Sequence, residues 1–346
     1  MKLALIHSDH TSLLSYQNDW LDSLSEIDTF TKSYNLINMN IYKFHRVLKD
    51  FDYVIFLHST NSNGFKFSRL LKVFSNYLLL YRKAKVIFFV GNEYKLMPEK
   101  IDFIAKNKVD IVVSQYPLET AKWLYEKTDA KIISLPHALN LKHFYPKVDL
   151  SKRKIDIGNR SYEYPKYLGD NLRLRTYELM KNLRNEFVVD VSSDPNKRFN
   201  RNQWSEFLNN CKYTISSEVG SKYVERDDYT RKIINEFELK GEYSKIKKYF
   251  QDYKPLTYLS GKAIGGRHFD AVGTKTCQIL VEGEYSNILK PNKHYIELKK
   301  DFSNLYEVKQ IIKSDSMRKF LVEEAFDHIK HNHLYKHRIE KLLKNI

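Results

Sequence analysis

Short apolar runs alternate with longer segments that carry apolar residues at helical spacing from Met1 to Leu135. The runs hold aliphatic, β-branched and aromatic side chains, as strands buried in a sheet do. Strands that alternate with helices predict a parallel sheet with helices on both faces. The predicted strands are Leu3–Ile6, Tyr53–Leu57, Val86–Val90, Ile111–Val113 and Ile132–Leu135.

A second alternating series follows the stretch Pro146–Lys154, whose proline and charges predict an interdomain linker. The segment from Tyr223 to Tyr258 is charged and periodic enough to form helices, and the chain beyond Asp315 predicts one or two amphipathic helices. The sequence therefore predicts a second, smaller α/β unit. Its predicted strands are Lys154–Ile157, Phe187–Val191, Tyr213–Ser216 and Cys277–Val281.

Polar side chains follow the predicted strands of the first series, and α/β folds place their sites at the carboxyl ends of parallel strands. His7 leads into Ser8 and Asp9 after the first strand, and His58 follows the second. Each histidine fits two roles. It could be a hydrogen-bonding partner or general base for an acceptor in a cleft, or a structural residue at the end of a strand.

The length of 346 residues exceeds what one hydrophobic core usually supports, which agrees with two domains. No apolar run approaches the ~20 residues that cross a bilayer. The N-terminus becomes polar after six residues, too soon for the apolar core of a signal peptide. We therefore expect a cytoplasmic protein. Cys211 and Cys277 lie in apolar, strand-like contexts, which predicts small buried side chains rather than a disulfide framework or a cysteine metal site.

The chain carries 58 Lys and Arg against 42 Asp and Glu, a formal net charge of +16. This charge predicts an anionic partner of one of three classes: nucleic acid, acidic lipid headgroups or phosphorylated small molecules. The basic residues are spread along the chain, with local enrichment at Lys147–Lys154 and Lys245–Lys248, and no recognisable nucleic-acid motif organises them. Charge alone does not choose among the three.

The segment 265–304 has the most informative order of residues. Arg267 precedes Phe269 and Asp270, and a turn of small residues and the apolar run Cys277–Val281 follow. An acidic residue on a helix before such a turn and strand lies at the mouth of a parallel sheet, where the helix N-terminus offers N–H groups to a phosphate. Taken alone, the same order also fits an ordinary helix, turn and strand.

This segment resembles the C-terminal half of group 1 glycosyltransferases with the GT-B fold, especially members that build bacterial surface polysaccharides. Weaker matches to the family extend over most of the chain. Leu135–Ala138 resembles the hinge that leads out of the first domain, Ile155–Arg160 resembles the opening strand of the donor domain, and Gly91–Lys95 resembles a loop of the first domain. A further match is the acidic, Gly and Ser turn at Glu218, Gly220 and Ser221.

The resemblance implies an α/β fold of the GT-B type: two Rossmann-like domains with parallel sheets facing a cleft, and a C-terminal helix that returns to the first domain. It implies an acceptor domain at 1–148, a nucleotide-sugar domain at 149–320, and a terminal helix at 321–346. The implied activity is transfer of a hexose-type sugar from a nucleoside-diphosphate-sugar to a glycan or lipid-linked glycan acceptor in surface polysaccharide synthesis. Retention of anomeric configuration is implied as well.

The resemblance also assigns roles to residues. Negative charge grows on the donor's leaving diphosphate, and fixed cations stabilise it without a metal, so we expect no metal and no cofactor besides the donor substrate. We expect Glu218 to act in catalysis, together with His58 and His7, for which the reason is their place after predicted strands and not the resemblance. Arg173 and Arg175 fit the surface of a helix. The residues expected to bind the donor are Arg160, Lys166, Arg267, Asp270, Gly273, Thr274, Tyr285 and Ser286.

Two positions depart from the family pattern. Asp270 stands where members usually carry Glu to bind the ribose hydroxyls, and Lys262 stands where the broader class often has a second Glu. Glu218 either supplies the missing acidic function near the sugar or caps a helix that begins near Ser221. His137, at the hinge, either binds the donor or packs.

Two alternatives to sugar transfer remain open. The chain could be a non-catalytic basic protein that binds nucleic acid or another polyanion on a glycosyltransferase scaffold, or an epimerase or phosphorylase that shares the fold. Mixed basic and aromatic residues also fit docking on an anionic membrane from the cytoplasmic side, where polyprenyl-linked acceptors would lie. The histidines His328, His331, His333 and His337 have helical spacing that can bind metal, but a Lys-rich helix predicts a solvated face there.

Overall fold

Six parallel strands build the first sheet. The computed structural model describes residues 1–8, 15–27, 30–73, 79, 81–161, 163–253 and 255–346. The strands are β1 Lys2–His7, β2 Phe30–Asn35, β3 Tyr53–Phe56, β4 Lys85–Phe89, β5 Ile111–Ser114 and β6 Lys131–Ser134, and their order in the sheet is β2-β1-β3-β4-β5-β6. The inner strands are almost entirely apolar because helices cover both faces of the sheet.

Amphipathic helices connect these strands. Their bounds are α1 Ser15–Ser25, α2 Ile41–Asp50, α3 Gly64–Val73, α4 Met97–Lys106 and α5 Leu118–Leu124. In α2 the side chain of Asn40 caps the first turn by accepting from the Lys43 backbone N–H at 2.9 Å. The buried side of the same helix presents Phe44, Val47 and Leu48 to the sheet, which leaves its other side in solvent.

The second sheet has five parallel strands, and a small antiparallel pair stands beside it. In chain order the strands are β7 Ile155–Arg160, β8 Val189–Ser192, β9 Cys211–Ser216, β10 Val219–Ser221, β11 Gly261–Ala263, β12 Cys277–Val281 and β13 Ile296–Leu298. The five-stranded order is β13-β12-β9-β7-β8, and β10 pairs with β11. Every strand that the sequence predicted is present, with small shifts at the ends.

Eight helices are described in this second half: α6 Leu172–Asn182, α7 Arg201–Asn210, α8 Tyr229–Leu239, α9 Tyr243–Asp252, α10 Gly266–Gly273, α11 Leu305–Ile312, α12 Asp315–Asn332 and α13 Tyr335–Leu343. The pair α8 and α9 lies between β10 and β11, so the chain makes a helical excursion from the sheet and returns to it. This confirms the helices predicted between Tyr223 and Tyr258.

The last helix crosses back to the first sheet. Tyr335, Ile339 and Leu342 of α13 pack in one cluster with Leu5 and Trp20, and α12 packs on the second sheet. Two α/β units with a returning terminal helix confirm the predicted architecture. The first sheet ends at Ser134 and the second begins at Ile155, on either side of the boundary predicted at 148/149, which itself stays a prediction. In the described part of the chain, no helix is long and apolar enough to span a bilayer.

Candidate functional site

Two adjoining cavities open where strands of the two sheets end. The large cavity has a volume of about 1070 Å³ and is lined by loops that follow β7, β9 and β12 and by helix α9. The small cavity, of about 210 Å³, lies between the domains. Both are lined by Tyr164 and Arg173, so the two spaces meet. Carboxyl ends of parallel strands are the usual place for ligands in α/β folds.

Side chains from both domains line the small cavity. Asn92, Gln115 and His137 come from segments that follow strands of the first sheet. Arg160 and Gly265 come from the second domain. A Cβ on Gly265 would lie 2.6 Å from Cγ1 of Val219, so glycine is required for this close approach to β10. The carboxyl edges of the two sheets therefore face each other across the cavity.

Four arginines surround the small cavity: Arg160, Arg173, Arg198 and Arg267. The Arg160 guanidinium lies 2.8 Å from Oδ1 of Asp190 and 4.4 Å from the ring centre of Phe207, which fixes its position. Helix α10 begins at the same cavity, because Gly265, Gly266 and Arg267 line it. The positive end of the helix dipole adds to the positive electrostatic potential of the arginines. The arrangement favours an anionic ligand.

Asp270 is a buried carboxylate at this cavity. Its Oδ2 accepts from Trp204 Nε1 at 3.1 Å and from Ser15 Oγ of the first domain at 3.2 Å. Burial raises the pKa of Asp270 well above its usual value, and the Asp19 carboxylate acts in the same direction. The carboxyl group is thus held by donors from both domains beside four arginines.

An aromatic cluster of the first domain backs the small cavity. Trp20 Nε1 donates to Nδ1 of His137 at 3.2 Å, which leaves Nε2 to carry the proton of the neutral ring. Burial lowers the pKa of His137 well below its usual value. His58 packs behind it at 5.5 Å between ring centres, and burial lowers the pKa of His58 to about 3. Both imidazoles are therefore neutral near pH 7.

Glu218 lies at the large cavity and holds the loop that follows β12. Its Oε1 accepts from the Tyr285 backbone N–H at 2.8 Å, and burial raises its pKa. Lys262 and Asp170 form an ion pair in the same cavity wall, and Lys262 Nζ also donates to the Gly220 carbonyl at 3.2 Å. Lys166 lines the cavity too and pairs with Glu238 at 3.0 Å.

The structure divides the predicted site residues into three sets. Arg160, Arg267 and Asp270 meet at the small cavity. Glu218, Lys166 and Ser286 line the large one. Of the described residues, the remaining five line neither cavity: His7, His58, Gly273, Thr274 and Tyr285.

Those five residues make structural contacts. His7 is half-buried at the end of β1, in register with Asn35. A Cβ on Gly273 would lie 2.5 Å from Cδ1 of Leu139, so this position permits close packing against the hinge. Thr274 Oγ1 donates to the Asp270 carbonyl at 3.1 Å, and the buried Tyr285 hydroxyl donates to the Val281 carbonyl at 2.6 Å.

Sequence reasoning missed several lining residues. Arg173, which fitted a helix surface, lines both cavities and lies with its guanidinium over the ring of Tyr164. Arg198, Phe199 and Trp204 follow β8 and line the small cavity. No motif marks these three residues, and only the pairing of β8 beside β7 brings them to Arg160.

One cluster of metal-ligating groups occurs among the described residues, formed by Asp19, Asp22 and His143. The Arg201 guanidinium lies between the two carboxylates, with Nη1 at 2.9 Å from Asp19 Oδ1 and 2.7 Å from Asp22 Oδ2. Because a cation of the protein already neutralises these acids, the cluster is an ion-pair network that joins the two domains.

Comparison with known proteins finds likeness in structure alone. No family model matches the chain. No curated protein matches its sequence. HepE from Anabaena, solved with UDP and glucose, is 6% identical, with a TM-score of 0.60 over 100% of this chain and 99% of HepE. Sucrose-phosphate synthase from Thermosynechococcus elongatus is 10% identical, with a TM-score of 0.55 over 99% of this chain and 98% of that enzyme.

An α-glucosyltransferase solved with UDP and a 13-mer DNA that contains an HMU base is also similar. It is 10% identical, with a TM-score of 0.58 over 99% of this chain and 98% of that one. These structural neighbours are GT-B glycosyltransferases. At such low identity the likeness establishes the fold, and the predicted GT-B fold is confirmed.

Proposed function

We propose that the protein transfers a hexose-type sugar from a nucleoside-diphosphate-sugar to a glycan or lipid-linked glycan acceptor. One observation carries this proposal: four arginines and the positive end of helix α10 surround a cavity between the two domains. A diphosphate is the ligand whose charge matches that arrangement. The structural neighbours solved with UDP support a nucleotide donor.

Arginines at this place suit the chemistry of sugar transfer. Negative charge grows on the leaving diphosphate as the bond to the sugar breaks, and cations fixed in advance lower that barrier. Arg160 is fixed in this sense, because Asp190 and the rings of Phe199 and Phe207 hold its guanidinium. We propose a reaction that retains the anomeric configuration and takes place without a metal, as in the family that the sequence resembles.

Asp270 and His137 suit the neutral parts of the donor. A carboxylate can accept from two vicinal hydroxyls, so we assign Asp270 to the ribose. His137 offers a neutral imidazole with the proton on Nε2, which can donate to a hydroxyl or to a phosphate oxygen. In this assignment His137 positions the ligand and transfers no proton.

The large cavity is lined mainly by the second domain and includes Lys166 and Ser286, which the sequence assigned to the donor. We propose that the acceptor also enters it, which departs from an acceptor site confined to residues 1–148. The cavity volume of about 1070 Å³ is slightly above the range for small-molecule pockets, roughly 300–1,000 Å³. Glu218, Lys262 and Ser286 line its polar part, and Leu172, Ile246 and Phe250 line its apolar part. A glycan attached to an apolar carrier matches both parts. We therefore propose that the protein works in surface polysaccharide synthesis, at the inner face of a membrane.

A second candidate function is non-catalytic binding of nucleic acid or another polyanion. The Lys262–Asp170 ion pair favours it, because it places a cation where the related enzymes often have a carboxylate. A polyanion binder would not require the buried Asp270 beside the arginines, so sugar transfer remains our first proposal.

A thermal-shift screen tests the proposal. Wild type and Asp270→Ala are mixed with UDP, GDP, CDP, ADP and their sugars, and hydrolysis of the stabilising sugar nucleotide is then measured. We expect one nucleoside diphosphate to stabilise the wild type and to lose most of this effect in the variant. Stabilisation by oligonucleotides but by none of these nucleotides, without hydrolysis, would favour the polyanion binder instead.

A further inference from the structure

The positive charge of the chain is concentrated on one part of the first domain. Residues 30–85 contain ten Lys and Arg and two acidic residues, which amounts to half of the formal net charge of +16. Seven of these ten cations are exposed, and five of the seven lie on β2, α2 and α3. Such a density of one sign predicts a surface that meets an anionic partner.

Large apolar side chains are exposed in the same place. Tyr42 is 80% exposed, Phe65 74%, Ile41 44% and Ile37 40%. All four lie at or just before the first turns of α2 and α3, at the carboxyl edge of the sheet that also borders the small cavity. We call these four residues, with Lys43, Arg46 and Lys49 of α2, the rim patch.

Hydrogen bonds hold the parts of the rim patch together. Arg69 Nη2 of α3 donates to the carbonyls of Ile37 at 3.0 Å and Met39 at 2.9 Å, which ties α3 to the turn before α2. Asn40 and Asn63 cap the starts of the two helices. Four apolar side chains are therefore presented from fixed backbone, beside the cleft between the domains.

We propose that the rim patch docks on the surface of an anionic phospholipid bilayer, so that the cleft opens toward the lipid. This inference rests on the proposed function, in which the acceptor is carried by a lipid. Cations near an anionic membrane gain energy from the headgroups, and aromatic and aliphatic side chains between them enter the interface.

The two isoleucines of the rim patch indicate that nucleic acid is not its partner. A nucleic acid is bound by cations on its phosphates and by aromatic rings on its bases, and the isoleucines at 37 and 41 would contribute to neither contact. Burial of exposed aliphatic groups in the headgroup region, by contrast, is favourable.

A second group of exposed apolar side chains lacks the matching charge. Leu239 is 90% exposed and Tyr258 86%, both in the helical excursion. Residues 222–258, however, contain nine basic and seven acidic residues, so their charges nearly cancel. An anionic surface therefore favours the rim patch over the excursion.

Co-sedimentation with vesicles tests the proposal at low salt. The vesicles are phosphatidylcholine alone or mixed with phosphatidylglycerol. Three variants are compared with the wild type: a rim charge variant (Lys43→Gln, Arg46→Gln and Lys49→Gln), a rim apolar variant (Ile41→Ser and Tyr42→Ser), and a control that removes three exposed lysines of the second domain (Lys313→Gln, Lys319→Gln and Lys330→Gln). All these positions lie in solvent, and the melting temperature shows whether each variant folds.

We expect the wild type to bind the mixed vesicles and not phosphatidylcholine alone. Each cation near an anionic surface changes the partition coefficient about fivefold, so the rim charge variant should lose roughly 100-fold and the control much less. The rim apolar variant should also bind less tightly. Equal losses in the rim charge variant and the control, or no binding to mixed vesicles, would overturn the proposal.

Two further measurements separate the remaining outcomes. A double-stranded oligonucleotide that binds the wild type but not the rim charge variant, while vesicles do not bind, would assign the surface to nucleic acid and overturn the proposal. Stabilisation by nucleoside diphosphates is measured on the same variants and should not change, because the rim patch lines neither cavity. If the wild type binds no nucleoside diphosphate, the proposed function is wrong. The vesicle measurements would still decide whether the rim patch docks on a membrane.

Discussion

Trp204 Nε1 lies 3.1 Å from Oδ2 of Asp270, so helix α7 holds the carboxylate of helix α10 in place. Ser15 Oγ donates to the same oxygen, and among the described residues no donor reaches Oδ1. One carboxylate oxygen is therefore held by two donors of the protein, and in our proposal the other oxygen binds the donor. Substitutions can therefore test the roles of Asp270 and Trp204 separately.

We expect Asp270→Asn to weaken binding of the preferred nucleoside diphosphate by about 10- to 100-fold, because an N–H group would replace an accepting oxygen and an unmade hydrogen bond in a buried site costs roughly 1–3 kcal/mol. Trp204→Phe keeps the carboxylate and loses only its orientation, so a smaller loss is expected. Isothermal titration calorimetry measures both. Equal affinities of Asp270→Asn and wild type would remove Asp270 from the donor site.

Arg201 joins the domains through a buried acid. Its Nη1 lies 2.9 Å from Asp19 Oδ1, and Asp19 has a side chain only 2% exposed. Burial raises the pKa of Asp19 to about 6, although Arg201 and Asn140 act against the rise. The folded state therefore binds this proton more tightly than the unfolded state, and stability from this group falls as pH rises from about 4 to about 6.

Removal of the Arg201 guanidinium should increase the cost of keeping Asp19 ionised in the folded protein. We expect Arg201→Gln to raise the pKa of Asp19 further and to lower the free energy of unfolding at pH 7.5 by roughly 3 kcal/mol, because a buried charge loses its partner. Asp19→Asn added to Arg201→Gln should recover part of the loss. Urea unfolding of the single and double variants gives the coupling. Strictly additive effects would show that the two residues do not interact.

The sequence was sufficient for elements that are buried on both faces. Runs such as Val86–Val90 are apolar throughout, so they stand out from any surface segment. The edge strand Phe30–Asn35 was missed because half of its side chains are exposed, none is fully buried and most are polar. Its position became visible only through pairing with β1.

For the candidate site, too, the sequence predicted residues that lie in a local motif and missed those that strand pairing brings together. Arg267 and Asp270 stand in a dense motif on one helix, whereas Arg198 and Trp204 enter the site only because β8 pairs beside β7. Strand order is a long-range property, and no local pattern encodes it. His58 illustrates the converse, since its place after a strand suggested function, but the fold buries it behind His137.

His58 and His268 should make the protein sensitive to acid. Burial lowers the pKa of each to about 3, so the unfolded state binds more protons between about pH 3 and 6.5, and stability falls as pH drops through that range. Each histidine should cost about 2 kcal/mol at pH 5 relative to pH 7.5. We expect the free energy of unfolding of His58→Leu, measured with urea, to fall less steeply than that of the wild type as pH drops below 6.5.

The same variant tests the catalytic role predicted for His58. Because His58 lines neither cavity and has no hydrogen-bond partner for either ring nitrogen among the described residues, we expect His58→Leu to retain hydrolysis of the sugar nucleotide within a few-fold. A loss of several hundred-fold in a folded variant would support the predicted catalytic role of His58. If the variant and the wild type lose stability equally between pH 7.5 and pH 5, another group controls stability in acid.

Glu218 stabilises an unusual turn at the large cavity. Tyr285, Ser286 and Asn287 have φ angles of 47°, 52° and 58°, a left-handed run that non-glycine residues rarely adopt. Glu218 Oε1 accepts from the Tyr285 N–H at 2.8 Å, and Ser286 Oγ accepts from the Ile264 N–H at 3.2 Å. The carboxylate therefore supports the strained backbone that brings Ser286 to the cavity.

Two substitutions distinguish this positioning role from a role of the charge itself. Glu218→Gln keeps an oxygen that can accept from the Tyr285 N–H, whereas Glu218→Ala removes it and leaves a buried donor unpaired, at a cost of roughly 1–3 kcal/mol. If Glu218 acts by holding the turn, Gln should preserve kcat within a few-fold, and Ala should lower it about 10- to 100-fold and lower the melting temperature. If the charge acts on the substrate, Gln should lose as much kcat as Ala while its melting temperature stays near that of the wild type.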